Sequence, residues 1–564
     1  MQKAQAPGES LDLLAKEYWE ERMSNEPIFA TALGDRRFDD RLPDTTPEGR
    51  ARIMEKYQSM ADRCERIPEA ALSSGEKLTR TALLVDAGSA EQYYSCNLED
   101  WVVDPLQGIQ VELMNLESYQ PVRTVEEGRA MVKRWRAIGP FIDQHIANLH
   151  SGAAARKVAV RAAVEKVVDE LDDIVAKPDD HWPLLRPLSV KHDDWNNQDR
   201  TEFTEGLADA VRESARPGFT RYLAFLKSEI LPKARPQEKA GVMHIPGGAE
   251  VYSKLIHVHT SLELTPKELH ETGLSEVAKV NKETEALGEK VFGTRDRKEV
   301  LTRLRSDPAL YFSNRDEVEA TAEKALASAN EAIANWFGRL PRTPCEVVRM
   351  EEHEEKHSTI AYYRPPAKDG SRPGRYYINT SAPETRPRYE AESLAFHEAV
   401  PGHHLQIAIA QELEGIPEFR KNSGVTAFVE GWGLYSERLA DEMGLYTSDT
   451  DRLGVLSYDA WRACRLVVDT GMHAMGWTRE QAIQYMLENS ALAKNNIVNE
   501  VDRYITWPGQ ALAYKTGQLE IASLRKKAAA RLGKKFDVKR FHDVLLGDGA
   551  IPLTALRKVM ESYN

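Results

Sequence analysis

The sequence predicts a mainly α fold: a large helical body in two lobes, with one small antiparallel sheet late in the chain. Apolar residues recur at helical spacing through most of the 564 positions. Capping residues open several of those runs, and proline or glycine closes them. Only the stretch between about 345 and 381 is dense in β-branched and aromatic residues over strand lengths. Hydrophobic residues at 41% and charged residues at 29% give ample core for such a body.

Near the start, Leu11, Leu14 and Tyr18 form one helical face after Ser10, and Pro27 closes the segment. From 124 to about 149, Met131, Trp135, Ile138, Ile142 and Ile146 keep helical spacing, and Gly139-Pro140 is expected to bend or split the helix. A further amphipathic helix over 158–175 turns Val160, Val164, Val167, Val168 and Leu171 inward. Linker-like composition around 177–180 and 235–238 places a lobe boundary near 240. It separates a helical lobe, 1–240, from a lobe at 241–564 that carries the chemistry. Thr265-Pro266-Lys267-Glu268 combines an N-cap, a proline at the first position and a capping-box glutamate, so a helix starts there. His257, His259 and His270 beside it read as ordinary histidines rather than metal ligands.

Three short strands are expected at 345–350, 358–363 and 375–380. Their antiparallel sheet either offers an edge to an extended peptide or only braces the helix that follows. His353 and His357 belong to a charged loop expected to be solvated.

The chemistry concentrates after the sheet. Phe396-His397-Glu398-Ala399-Val400-Pro401-Gly402-His403-His404 puts three histidines and a carboxylate within a few residues. Zinc peptidases of the His-Glu-x-x-His type set two imidazoles one turn apart, with the glutamate between them as general base. Here the position one turn after His397 is Pro401, which cannot bind a metal. In a regular helix His403 would face away, and His404 would lie about 10.5 Å along the axis. The helix must therefore be interrupted. Pro401 interrupts it by lacking the N–H that the His397 carbonyl needs, and Gly402 tolerates the backbone angles of a bulge. This spacing leaves His403 and His404 both open as second ligand. A helix over 425–437 follows, with Phe428, Trp432 and Tyr435 in an apolar stripe and Glu430 off it. Gly431 and Gly433 each cost that helix about 1 kcal/mol relative to alanine. Something is therefore expected to approach its backbone closely while Glu430 serves as third ligand.

Phe396 to Gln406, followed by Phe428-Val429-Glu430-Gly431-Trp432-Gly433-Leu434-Tyr435, resembles the bacterial domain-of-unknown-function family 885. The likeness extends to Ala30-Thr31-Ala32-Leu33-Gly34, to Leu264–His270 and to Trp507–Lys515. The resemblance implies kinship with gluzincin peptidases: thermostable carboxypeptidases, thimet-type oligopeptidases and angiotensin-converting enzyme. It implies a zincin-like helical body enclosing a groove, a zinc ion on His397, His403 and Glu430, and short peptides as substrates. It also marks Arg503-Tyr504, Gln510 and Tyr514-Lys515. On this reading Glu398 is the general base, and Tyr514, then His404, stabilises the oxyanion. Arg503 or Lys515 holds a substrate carboxylate, as in removal of C-terminal residues, while Tyr377 and Gln510 add substrate contacts.

Two other classes fit parts of the pattern. Two histidines and a carboxylate also make the site of non-haem Fe(II) oxygenases, which would leave Glu398 without a task. A spoiled ligand turn would instead leave an inactive peptide-binding protein. Net charge of -13, from 75 basic and 88 acidic residues, argues against a nucleic-acid surface. Cys64, Cys96, Cys345 and Cys464 are widely spaced and read as thiols, with a Cys64–Cys96 bridge left open. No apolar run spans a bilayer. Met1 to Gly8 lacks the apolar core of a signal peptide, so the chain as given is expected in the cytoplasm. A trimmed export signal would leave the same start on a secreted, periplasmic or lipid-anchored protein.

Overall fold

Helical periodicity carries most of the chain, and in the computed structural model 73% of it is helical. The structure describes residues 6–350, 355, 359–367 and 372–563. The helices that frame the interior are α1 (Pro7–Asn25), α2 (Ser74–Ser95), α3 (Val125–Ala154), α4 (Pro266–Phe292), α5 (Arg388–Glu398) and α6 (His403–Gln411). They continue with α7 (Thr426–Glu442), α8 (Asp449–Met475), α9 (Lys494–Thr506) and α10 (Ala513–Leu532).

On α1, Leu11, Leu14 and Tyr18 are buried, and Pro27 opens the next helix. The capping box expected at α4 is present, with the Glu268 amide donating to the Thr265 hydroxyl at 3.2 Å. Gly139-Pro140 does not split the helix: α3 runs through both. Pro140 leaves the Arg136 carbonyl without its helical donor, and the Ser214 hydroxyl supplies one at 2.7 Å. Gly139 allows that close approach, since a Cβ there would lie 2.7 Å from the same oxygen.

The strands β1 (Cys345–Arg349), β2 (Ala361–Arg364) and β3 (Gly374–Ile378) form a sheet in the order β1-β3-β2. β2 pairs with β3 antiparallel, but β1 pairs with β3 parallel, so the sheet is mixed rather than antiparallel. A parallel pair needs a long crossover, and the chain from 350 to 373, which includes β2, provides it. Tyr376 and Ile378 on β3 are buried, so Tyr377 stands on the opposite face. His353 and His357 lie outside the described residues, as do residues 368–371 of the loop before β3.

One apolar cluster surrounds Trp135, Ile138 and Ile142 of α3, and a larger one surrounds Phe396, Phe428 and Trp432. Another joins Val160 to Val277 of α4, Val467 of α8 and Val501 of α9. Helix α8 is buried nearly all round, so its polar residues need partners inside the protein. Those partners lie around the site. All four cysteines are free thiols. Among the described residues no helix is long and apolar enough to cross a membrane.

Candidate metal centre

The chain breaks its helix where Pro401 and Gly402 predict. α5 ends at Glu398, and α6 starts afresh at His403. The intervening loop folds back on α5, where a Cβ on Gly402 would collide with the His397 carbonyl. It is fastened to α7, whose Trp432 indole donates to the Pro401 carbonyl at 2.9 Å. The restart swings His403 towards His397, and their ring centroids are 4.7 Å apart.

α7 delivers Glu430 to the same point. One carboxylate oxygen lies 3.7 Å from His397 Nε2 and 3.6 Å from His403 Nε2. Among the described residues, this is the one group of three potential ligands whose donor atoms converge, all within 4.8 Å of one another. A tetrahedral zinc with bonds of about 2.0–2.1 Å needs ligand atoms about 3.3 Å apart, so each imidazole need close on the Glu430 oxygen by only a few tenths of an ångström. The donor set therefore fits a metal ion. His397 and His403 are buried, while the Glu430 side chain keeps 22% exposure and leaves the group open on one side. Burial would lower the His397 pKa, but Glu430 and Glu437 overcome it and hold it up at about 9. Against the same cost of burial, the two imidazoles hold Glu430 well below the usual carboxylate range.

The close approaches implied by the glycines of α7 are present. A Cβ at Gly433 would lie 2.7 Å from the His397 ring, and Gly431 meets the backbone of α10 at Gly517. That contact sets Tyr514, one turn before Gly517, on the face of α10 that meets α7. Glu398, half-buried, makes no hydrogen bond or ion pair among the described residues. It stands on the side of the sheet occupied by Tyr376, whose phenol is pushed well up by burial and then by the Glu398 charge.

Other expected residues are placed differently. His404 does not join the group. Its Nε2 faces the Thr343 carbonyl at 3.0 Å and its Nδ1 faces the Tyr363 hydroxyl at 2.9 Å. Burial drives its pKa down to about 4. It thus braces the sheet as a neutral imidazole, with no donor left for an oxyanion. Lys515 is buried between Asp459 (2.5 Å) and Glu276 (3.0 Å), so its charge is already met. Tyr377 stacks on Tyr362 at 4.9 Å, on the face away from Glu398. Arg503, Gln510 and Tyr514 do come together: Arg503 Nη2 donates to Gln510 at 2.6 Å and reaches the Tyr514 hydroxyl at 3.5 Å.

Sequence reasoning missed Glu437. It is fully buried, and His397 Nδ1 donates to it at 2.7 Å, with Arg462 of α8 3.4 Å behind. The available signal was its place two turns after Glu430 on α7, which puts both carboxylates on the side facing α5.

The bacterial family described as of unknown function, DUF885, matches residues 27–560. The chain belongs to this family. No curated protein matches this DUF885 chain. A crystal structure from Colwellia psychrerythraea, described as a "putative lipoprotein", matches with a TM-score of 0.91 at 26% identity, covering 99% of each chain. A Shewanella oneidensis protein, described as a "putative lipoprotein of unknown function", shares the fold, with a TM-score of 0.76 at 18% identity over 99% of this chain and 100% of its own.

Proposed function

We propose that this DUF885 protein is a zinc-dependent peptidase acting on short peptides. The observation that carries the reading is the convergence of His397, His403 and Glu430 beside Glu398, a half-buried carboxylate that makes no hydrogen bond or ion pair among the described residues. Zinc, when bound, supplies Lewis acidity on the open side of two imidazoles and a carboxylate. Glu398 takes a proton from the attacking water and returns it to the leaving amine. Tyr514 donates to the oxyanion, with Arg503 beside its hydroxyl. Burial of both histidines favours flexible short peptides, because a folded substrate could not present a bond there. The kinship with gluzincin peptidases that membership of this family implies supports the same assignment. The lipoprotein description of the Colwellia protein supports a secreted or lipid-anchored setting over the cytoplasmic one.

Metal analysis and a mass-spectrometric screen of mixed short peptides test the reading. About one zinc per chain and cleavage are expected. Glu398→Gln should keep the zinc and slow cleavage by roughly 10²–10⁴-fold. Undiminished cleavage at equal zinc would remove Glu398 from the mechanism, and iron in place of zinc would point to an oxygenase.

A further inference from the structure

Between the end of α1, the last turn of α2, the middle of α3 and the end of α9 lies a cleft of about 440 Å³, the size of a small-molecule site. Aromatic rings wall it: Phe29, Tyr93, Tyr94, Phe141 and Trp507. Glu26, Asp44, Glu99, Asp104 and Glu112 also line it, against one arginine, Arg50. His145 adds no charge, because burial drives its pKa down to about 4.

The carboxylates are not all answered. Glu26 has Arg22 at 3.3 Å, Asp44 has Arg52 at 2.8 Å, and Asp104 feels Arg503. Arg50, however, must serve both Asp100 at 2.8 Å and Glu99 at 3.8 Å. Glu112 makes no hydrogen bond or ion pair among the described residues, and burial alone raises its pKa. Burial also raises Glu99, which Arg50 pulls back only in part. Both acids act on one ring: the Tyr93 phenol is pushed up first by burial, then by Glu99, with Cys96, Glu26 and Glu112 adding. The Tyr93 hydroxyl makes no hydrogen bond among the described residues. Glu112 is open to water within these walls, and the Glu99 side chain keeps 23% exposure, so a ligand can reach both.

We infer that this cleft binds an organic cation, a primary ammonium group on an apolar body. The charge lies against Glu99 and Glu112, and the body packs on the rings of Tyr93, Tyr94 and Trp507. An ammonium group donates three hydrogen bonds, enough for two carboxylates and the Tyr93 oxygen. The electron-rich ring faces favour the same charge. A neutral ligand would leave the carboxylates unmet, and an anion would add to them. A free amine and the N-terminus of a peptide both present this chemistry. The inference does not depend on the peptidase reading.

Calorimetry on metal-free protein near neutral pH tests it. Phenethylamine, phenethyl alcohol and hydrocinnamate vary the charge on one body, and Phe-Ala-amide beside acetyl-Phe-Ala-amide tests the peptide source. Phenethylamine should bind at least about tenfold tighter than the alcohol, and hydrocinnamate should not bind. Glu112→Gln should weaken the amine by about tenfold and leave the alcohol unchanged, while Glu112→Lys should abolish amine binding. Circular dichroism confirms that both variants fold. Phe-Ala-amide binding without its acetyl derivative would assign the cleft to peptide N-termini, and phenethylamine binding alone would assign it to free amines. Failure of both amines to bind, equal affinity for amine and alcohol, or amine binding untouched by Glu112→Lys would overturn the inference.

Discussion

Glu437 binds no metal in this arrangement, yet it decides how His397 presents itself. By accepting from Nδ1 it fixes the orientation of the ring and aims Nε2 at the Glu430 carboxylate that His403 also faces. Arg462 in turn pairs with Glu437, so removing the carboxylate also strands a buried guanidinium. Glu437→Ala is expected to weaken zinc binding by roughly 10–100-fold, read by competition with a chromophoric chelator. His404→Ala in the same titration should bind zinc as the wild type does, because both its ring nitrogens are turned to the sheet. It should instead lower the melting temperature. Wild-type affinity in Glu437→Ala would mean that packing alone holds the His397 ring, and lost affinity in His404→Ala would mean that His404 is a ligand.

At the level of elements, the site depends on helices that approach more closely than side chains normally allow. Gly431 and Gly517, which follow Glu430 by one residue and Tyr514 by one turn, let α7 and α10 touch through their backbones. The turn between α9 and α10 is held from α8 by Asp469, which accepts from the Gly509 amide and the Tyr252 hydroxyl. Burial raises the Asp469 pKa to about 7, against about 3.9 when unfolded. A raised pKa means the native state holds the proton more tightly. The resulting stability is fully present below about pH 4 and is lost as pH rises through about 7. Asp469→Asn does not titrate, so its stability relative to wild type should improve by on the order of 3 kcal/mol between pH 5 and 8. Urea midpoints of both proteins at the two pH values measure this. A constant difference would show that Asp469 ionises as freely in the fold as in the unfolded chain.

Across the whole molecule, three potential ligands come from three helices that meet around a broken turn, so a bound ion joins α5, α6 and α7. An ion at 100 times its dissociation constant adds about 2.7 kcal/mol to folding stability. Spread over so large a chain, that corresponds to a melting temperature a few degrees lower after chelation. Glu430→Ala should melt at the same temperature with and without the chelator. A wild-type melting temperature indifferent to chelation would indicate that the fold holds no ion.

The sequence by itself determined what is local. Caps and periodicity located α1 and α4, and the Pro401-Gly402 pair marked the break between α5 and α6. The glycines of α7 announced a close approach before its partners could be named. These follow from backbone chemistry within a few residues, which a sequence states directly. The tertiary structure alone decided pairings through space. It turned His403 towards His397 and gave His404 to the sheet. It set β1 parallel to β3, buried Lys515 between two carboxylates, and placed Glu437 behind His397 and Arg465 beside Arg503. Each of these depends on which helix lies alongside which, and residues as far apart along the chain as Thr79 and Arg420 are neighbours in the fold. A charged side chain at helical spacing reads the same in sequence whether it faces water or a buried imidazole. Only the packing of its neighbours distinguishes the two.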